Sequence, residues 1–154
     1  MSSTFRDNVA GRCINGGVTG GYSSTCHSNA DAAPWLALDL GDKASVERVV
    51  IYNRDDSHAE RFKNAKVWVA DQLPDSGSQM FSGGQLLGSF EGPAKTSEVV
   101  TLTSSSGLGG RFVIVQQDGY GYLNLMEVTV WGKIQGKKKH LLPFQSRAFC
   151  PTNN

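Results

Sequence analysis

The stretch "PWLALDLGDKASVERVVIYNR", residues 34–54, decides the fold. It contains two apolar runs, "WLALDL" (35–40) and "SVERVVIYN" (45–53), which are separated by a glycine and charged residues. Branched and aromatic residues of this kind favour strands. Neither run repeats its apolar residues every three to four positions, as an amphipathic helix would. The stretch therefore predicts two consecutive β-strands joined by a turn.

Four later segments have the same character: "AKVWVA" (65–70), "EVVTLT" (98–103), "RFVIVQQ" (111–117) and "LMEVTVWG" (125–132). The chain has 18 glycines and many serines and threonines between its apolar runs, which is typical of turns between strands. Residues 71–97 predict a loop region that contains one short strand, "QLLGSF". Short strands joined by turns, with no helical periodicity, predict an all-β fold, a jelly-roll β-sandwich.

Length and charge limit the classes of function. A chain of 154 residues is long enough for one domain with a real core. Lys and Arg total 15 against 14 for Asp and Glu, a net charge of +1, whereas a nucleic-acid surface needs a clear basic excess. No apolar run approaches the roughly 20 residues of a membrane span, so no membrane insertion is expected. The start, "MSSTFRDNVAG", lacks the apolar segment of a signal peptide.

The three cysteines are Cys13, Cys26 and Cys150. An odd number leaves at least one of them outside any disulfide within the chain, so the sequence allows one disulfide or none. Their spacings match no metal-binding motif.

Charged residues cluster in "YNRDDSHAERF" (52–62), and a histidine, His27, lies in the polar stretch before Trp35. Two interpretations are open from the residues alone. In the first, the cluster is a surface patch of ion pairs, formed by Arg54, Asp55, Asp56, Glu60 and Arg61. In the second, its arginines and His27 converge on one site for a neutral, hydroxyl-rich ligand.

The runs "PWLALDLG", "VERVVIYNR", "ERFKNAKVWV" and "LNLMEVTVWG" together resemble the F-type lectins, fucose-binding members of the discoidin or F5/8 type C superfold. The sugar signature of that family is His, 26 residues, Arg-x-Asp, four residues, then Arg or Lys. His27, Arg54, Asp56 and Arg61 fit every anchor and both spacings. The resemblance covers residues 12–132 and implies a discoidin-like jelly roll.

By this resemblance, His27, Arg54 and Arg61 bind terminal L-fucose of glycans in cell recognition. The guanidinium groups donate to sugar oxygens, and the imidazole handles the remaining hydroxyl. Asp56 is expected to hold the arginines in register. Tyr22, Tyr120 and Tyr122 are candidates for aromatic contact with the sugar. Where well-known members have two adjacent cysteines, this chain has Ser57 and His58, and His58 offers a ring face or is solvated.

The resemblance also implies a structural Ca²⁺ beneath the sugar loop. The candidate ligands are Asn15, Ser24 and Glu127, together with main-chain carbonyls, and oxygen ligands of this kind suit a hard cation. Asn15 stands where the family has an aspartate, which removes one ligand charge and should weaken the site. The alternative is that Asn15 and Gly16 form only a turn.

The predicted organisation is an N-terminal segment or truncated first strand (1–11), a lectin domain (12–132) and a C-terminal tail (133–154). A missing edge strand would leave backbone groups free to pair with a second copy, so a homo-oligomer is expected. The family implies a secreted or cell-surface location. No nucleophile and base pair is legible, so no enzymatic activity is expected. The alternative function is a discoidin-type domain with a degenerate sugar site, binding another glycan, a protein or a phospholipid.

Overall fold

The computed structural model describes residues 1–75, 80–135, 142–143 and 147–149, with only the backbone of the last two segments. Within these residues there are nine strands and three short 3₁₀ helices. The strands are β1 Cys26–His27, β2 Trp35–Tyr52, β3 Ala65–Ala70, β4 Gln85–Phe90, β5 Val99–Gln117, β6 Asn124–Leu125, β7 Glu127–Ile134, β8 Leu142–Pro143 and β9 Arg147–Phe149. The helices are Ala10–Ile14, Gly21–Ser24 and Ala59–Arg61.

Two long strands, β2 and β5, form the centre of the molecule and pair antiparallel along most of their length. The large sheet has the order β4-β3-β5-β2-β7-β8, with β9 on the first part of β2, while β1 and β6 form a separate two-stranded sheet. All pairings between these strands are antiparallel. The predicted all-β sandwich is therefore confirmed.

The strand β2 is longer than the sequence suggested because β-bulges carry it across the predicted turn. Register shifts occur between Asp39 and Ala44 and between Val46 and Arg48. A bulge adds one residue and bends a strand without ending it. It also shifts the alternation, so that Val46, Val49 and Ile51 all point into the core although two of them are three residues apart.

The remaining predicted strands are mostly present with altered bounds. The predicted strands 98–103 and 111–117 merge into the single strand β5, which begins at Val99, and residues 125–132 divide between β6 and β7 at Met126. The segments 65–70 and 85–90 form β3 and β4 as predicted. The two-residue strand β1 was not predicted.

The N-terminal segment packs against the domain without forming a strand. Met1 is fully buried, and the amide nitrogen of Ser2 donates to the carbonyl of Trp35 at 2.8 Å. The amide nitrogen of Phe5 donates to the carbonyl of His27 at the same distance. These bonds bring Phe5 beside β1, the strand that carries His27.

Part of the predicted C-terminal tail pairs with the domain. The strand β7 continues to Ile134, two residues beyond the predicted boundary. The segment Leu142–Pro143 pairs with β7, and Arg147–Phe149 pairs with the first part of β2. The interpretation of the whole of 133–154 as lying outside the domain is therefore wrong, because these residues complete hydrogen bonds along two strands. Cys150 and the basic run at 137–140 lie outside the described residues.

Cys13 and Cys26 form a disulfide, which is one of the two arrangements that the cysteine count allowed. The bond ties the helix Ala10–Ile14 to β1, one residue before His27. Among the described residues, no helix has the length and hydropathy of a membrane span.

Candidate functional site

An open depression with a volume of about 330 Å³ lies at one end of the sandwich, where β1 and the loop after β2 meet. Its lining comes from four separate stretches of the chain: Phe5, Tyr22, His27, Arg54, Asp56, Ser57, His58, Arg61 and Tyr122. Of the residues that the sequence proposed for sugar contact, all but Tyr120 are in this lining. The structure thus brings together residues that are up to 117 positions apart.

The loop after β2 is fixed by Asn53, a buried residue at the end of the strand. Its side-chain amide donates to the carbonyl of Ala59 at 2.9 Å and to that of Lys95 at 3.0 Å. The carbonyl of Arg54 also accepts from the amide nitrogen of Ser97 at 2.9 Å. These bonds close residues 54–61 into a compact turn that presents its arginines to the depression.

Arg54 is held by Asp56 in a two-pronged ion pair. Nε and Nη2 of Arg54 donate to the two carboxylate oxygens at 2.5 and 2.9 Å. The Arg54 side chain is only 3% exposed and that of Asp56 is 31% exposed. The hydrogen bonds from Arg54 hold the pKa of the Asp56 carboxyl below its ordinary value. Because two of the five N–H groups of Arg54 are used, three remain for other acceptors.

Two neighbouring carboxylates, Asp55 and Asp56, join this loop to the turn at 20–22. Asp55 accepts from the amide nitrogens of Gly20 at 3.0 Å and Gly21 at 2.9 Å, and Asp56 accepts from that of Tyr22 at 2.9 Å. Gly20 and Gly21 have φ values of 120° and 64°, which side chains rarely tolerate. The glycines therefore allow three successive N–H groups to face the carboxylates, and Tyr22 is fixed beside Arg54.

Arg61 is held differently from Arg54. Its guanidinium lies 4.7 Å from the centre of the Tyr122 ring, a cation–π contact. Among the described residues it has no ion pair, and its backbone carbonyl is fixed by the side-chain amide of Gln117 at 2.9 Å. The expectation that Asp56 holds both arginines is therefore met for Arg54 and not for Arg61. The N–H groups of Arg61 remain available to a ligand.

His27 lies at the base of the depression and is 2% exposed. Its Nδ1 lies 2.6 Å from the carbonyl oxygen of Ser28. A carbonyl can only accept, so Nδ1 carries the proton and Nε2 of the neutral ring is an acceptor. Burial lowers the pKa of His27, and the charges of Arg54 and Arg61 add to this effect. The site therefore favours the neutral imidazole.

Aromatic rings surround the imidazole on three sides. Their centres lie 5.0 Å (Phe5), 5.5 Å (Tyr122) and 6.0 Å (Tyr22) from that of His27. These rings give the depression apolar walls next to its charged donors. Tyr120 is 79% exposed and is not in the lining, so of the two tyrosines of "DGYGYLN" only Tyr122 lies at the site.

The ion-pair patch, the competing interpretation of the cluster, does not form as such. Of its five residues, only Arg54 and Asp56 make an ion pair within the described part of the chain. Asp55 binds backbone amides instead. His58 is exposed, adopts a left-handed conformation with a φ of 68°, and lies at the rim.

Two residues of the site were not found from the sequence. Phe5 lies in the segment that was placed outside the domain, and Asn124 contacts Nε2 of His27 from the neighbouring strand at 3.3 Å. Only the pairing of β1 with β6 brings Asn124 there. The alternation of the "LNLMEV" stretch was visible in the sequence, but its partner strand was not.

The three predicted calcium ligands are only partly brought together. Glu127 is buried, and one of its carboxylate oxygens accepts from the amide nitrogen of Gly16 at 2.9 Å, next to Asn15. Burial raises the pKa of Glu127. The side-chain oxygen of Asn15 accepts from the amide nitrogen of Gly17 at 2.8 Å. The described contacts do not connect Ser24 to Glu127, and the described residues contain no cluster of three or more His, Cys, Asp or Glu that could hold a metal.

The family of NedA-like, galactose-binding domains of the F5/8 type C group matches residues 13–115 of the chain. The fucolectin of Anguilla anguilla is 29% identical over 110 residues, which is 71% of this chain and 66% of that protein. The pentraxin fusion protein of Xenopus laevis is 30% identical over 126 residues, or 79% of this chain and 29% of that protein. The chain thus spans less than two thirds of these curated relatives.

A solved fucose-binding module of Streptococcus pneumoniae has the same fold, with a TM-score of 0.69 and 25% identity over 86% of this chain and 88% of that one. The fucolectin and the fucose-binding module are named for carbohydrate binding, and membership of this family confirms the expectation that the domain is not an enzyme. The family match, the shared fold and the signature residues around one depression lead to the same conclusion. The chain belongs to the NedA-like, galactose-binding family of F5/8 type C domains and is an F-type lectin with the discoidin-like fold.

Proposed function

We propose that this lectin binds terminal L-fucose of glycans through His27, Arg54 and Arg61. One observation carries the proposal: these three residues of the signature line a single depression together with three aromatic rings. The names of the fucolectin and of the fucose-binding module support the choice of sugar.

The polar groups of the depression complement a sugar. Both guanidinium groups can only donate hydrogen bonds, so they use lone pairs of the sugar oxygens. A hydroxyl that accepts from them still has its own proton to donate. Nε2 of neutral His27 can accept that proton if the hydroxyl takes the place of the Asn124 amide, which lies 3.3 Å from Nε2. On binding, each sugar oxygen would lose its hydrogen bonds to water and gain a similar number of hydrogen bonds to these side chains.

The aromatic walls give a reason for preferring a deoxy sugar. L-fucose carries a methyl group where galactose carries a hydroxymethyl group. An apolar wall favours the methyl, because a hydroxyl placed against that wall would lose its hydrogen bonds to water. Phe5, Tyr22 and Tyr122 offer such a wall, whereas Ser57 and His58 stand where relatives place a pair of cysteines. We therefore expect selectivity for L-fucose over D-galactose and D-glucose.

A glycan array followed by calorimetry with free sugars tests this function. Fucosylated glycans should give the strongest signals, and free L-fucose should bind in the millimolar to micromolar range expected of a small contact. Arg111→Ala is a matched control, because Arg111 pairs with Asp39 outside the depression. Signals for galactosides or mannosides that equal those for fucosides would end the proposal and favour a site for another glycan.

We also propose that Ca²⁺ stabilises the loop at 12–17. A buried carboxylate with no basic partner among the described residues fits a cation, and a carboxylate that accepts from Gly16 still has lone pairs free. Glu127 would supply the charge, while Asn15, Ser24 and main-chain carbonyls would supply neutral oxygens. The ion would hold the loop in place and take no part in contacting the sugar.

The calcium proposal is tested by thermal unfolding in EDTA and in millimolar Ca²⁺. A cation that binds only the folded state at 100 times its Kd stabilises by about 2.7 kcal/mol, and Glu127→Gln should remove most of that shift. Identical melting in both buffers would refute the site. The loop would then be held by the Cys13–Cys26 disulfide, by the bond from Arg12 to the carbonyl of Ser23 at 2.6 Å and by the bond from the Gly16 amide to Glu127 at 2.9 Å.

The disulfide is consistent with a secreted or cell-surface protein, because such bonds persist in oxidising compartments. A lectin of this kind gains avidity by presenting several sites. We therefore expect a homo-oligomer, which sedimentation of the purified chain would detect. A monomer at all concentrations would contradict this expectation.

A further inference from the structure

Asn124 lies directly opposite His27 in the two-stranded sheet of β1 and β6. Both residues are buried, with 0% of Asn124 and 2% of His27 exposed. Nδ2 of Asn124 is 3.3 Å from Nε2 of His27. Asn124 is not in the lining of the depression, so its amide contacts the imidazole without facing the space for a ligand.

The carboxamide is oriented by the protonation state of the ring. Since Nδ1 of His27 donates to the carbonyl of Ser28, Nε2 of the neutral ring has a lone pair that needs a donor. Asn124 presents its amino group to that lone pair. Its own oxygen, Oδ1, is buried and has no hydrogen-bond partner among the described residues. A buried acceptor without a donor is costly, so this arrangement satisfies the neutral ring at the expense of Oδ1.

Protonation of His27 would reverse these requirements. An imidazolium donates from both nitrogens, so Nε2 would need an acceptor. Turning the carboxamide over exchanges Nδ2 for Oδ1 in almost the same volume, because the two ends of the amide have nearly the same shape. The oxygen that lacks a partner would then accept from the ring.

We propose that Asn124 is a positioning residue for His27: its carboxamide donates to the neutral imidazole and, turned over, accepts from the imidazolium. In the neutral form the single lone pair of Nε2 accepts from Asn124, and a ligand hydroxyl would have to take the place of that amide, whereas the charged form has no lone pair to give and is held by Ser28 and Asn124. The consequence for sugar binding rests on the proposed function. The turning of the Asn124 carboxamide on protonation of His27 does not depend on that function.

The other groups around His27 either oppose or favour its protonation. Arg54, Arg61 and His58 face it from the loop after β2, and their charges oppose protonation, as does burial. The rings of Tyr22 and Tyr122 complete the surroundings together with Phe5. The carbonyl of Ser28 favours the charged form. Oδ1 of Asn124 is the second neutral acceptor that can do so.

The test is an NMR titration of the sugar-free protein from pH 8 to pH 4.5, following the ring nitrogens of His27 and the side-chain amide of Asn124. At pH 8 the ring should be the Nδ1–H tautomer, and both signals should shift with one common midpoint. Asn124→Leu removes the acceptor and should lower the midpoint of His27 by about one pH unit. Asn124→Asp, which can only accept, should raise it. Asn29→Ala, at an exposed amide near His27, should leave it unchanged.

An unchanged midpoint in Asn124→Leu would overturn the inference, as would an Asn124 amide signal that does not follow the titration. If Asn124→Leu fails to fold, Asn124→Asp decides, because a midpoint that does not rise contradicts the proposal. Fucose affinity measured across the same pH range separates the two claims. Shifted midpoints without any fucose binding would leave the inference standing and refute the proposed function.

Discussion

Arg54 and Arg61 should respond differently to the same substitution, because only one of them is part of the folded framework. Arg61→Ala removes a guanidinium that has no ion pair among the described residues. A lost hydrogen bond from a charged donor costs about 1.5–3 kcal/mol. That corresponds to a loss of about 10- to 150-fold in fucose affinity. The melting temperature should stay within about 2 °C of wild type, since the substitution leaves no buried group without a partner.

Arg54→Ala should lose at least as much affinity and should also destabilise the fold. The Arg54 side chain is 3% exposed, and its removal takes two hydrogen bonds from the Asp56 carboxylate. Asp56 is about one third exposed and keeps its bond to the amide nitrogen of Tyr22, so water can replace part of the loss. A cost of about 1–3 kcal/mol is reasonable for such a group. For a domain of this size we expect the melting temperature to fall by roughly 3–10 °C.

Calorimetric titration with L-fucose and differential scanning calorimetry, run on both variants and on Arg111→Ala, measure the two effects separately. The reasoning fails if Arg61→Ala binds as wild type does, since Arg61 would then not contact the sugar. It also fails if Arg54→Ala melts at the wild-type temperature, because the ion pair with Asp56 would then contribute nothing to folding.

Three further outcomes follow from the site. Fucose affinity should hold through neutral pH and fall in the acid range, because burial lowers the pKa of His27 and an imidazolium cannot accept. His27→Gln should bind weakly with little pH dependence, and a flat wild-type profile would refute the assigned role. Tyr122→Ala should weaken fucose binding by about 3- to 10-fold, because it removes an apolar wall and the cation–π contact with Arg61. Tyr120→Ala, at an exposed position, should leave the affinity unchanged. Equal losses of affinity in the two variants, measured by calorimetry, would contradict the geometry. The Asp56 carboxyl has a lowered pKa in the folded protein, so its contribution to stability is present above its unfolded pKa and is lost as the pH falls through the lowered folded value. Asp56→Asn should therefore make the free energy of unfolding, measured with denaturant, depend less on pH in the acid range.

The sequence predicted the elements whose patterns are local. The apolar runs of β2, β3 and β5 are visible in any short window. The spacing from His27 to Arg54 and Arg61 came from the family resemblance, and the three side chains do line one depression. Features that depend on register were not predictable. The irregularity between Asp39 and Ala44 hides the continuity of β2, because the glycine and charged residues at 41–43 look like a turn in the sequence. The role of Asn124 depends on which residue of β6 faces His27.

The N-terminal segment shows the same limit. Nothing in "MSSTFRDNVAG" alternates or forms a strand, so Phe5 gave no signal of its own. It reaches the site only because its amide nitrogen bonds to the carbonyl of His27. The two tyrosines of "DGYGYLN" look alike in the sequence. Only the structure shows that Tyr122 lines the depression and that Tyr120 is exposed.

The pairing of Trp35 with Gln116 and of His27 with Asn124 joins residues that are far apart in the chain. Contacts of this separation can form only after long loops have closed, which makes such proteins slow to fold. The residues that line the depression come from both the first and the last of these distant segments, so no short fragment of the chain contains the whole site. During refolding from denaturant, ligand binding should therefore recover in the last kinetic phase, and bound fucose would serve as a reporter of molecules that have completed the native topology.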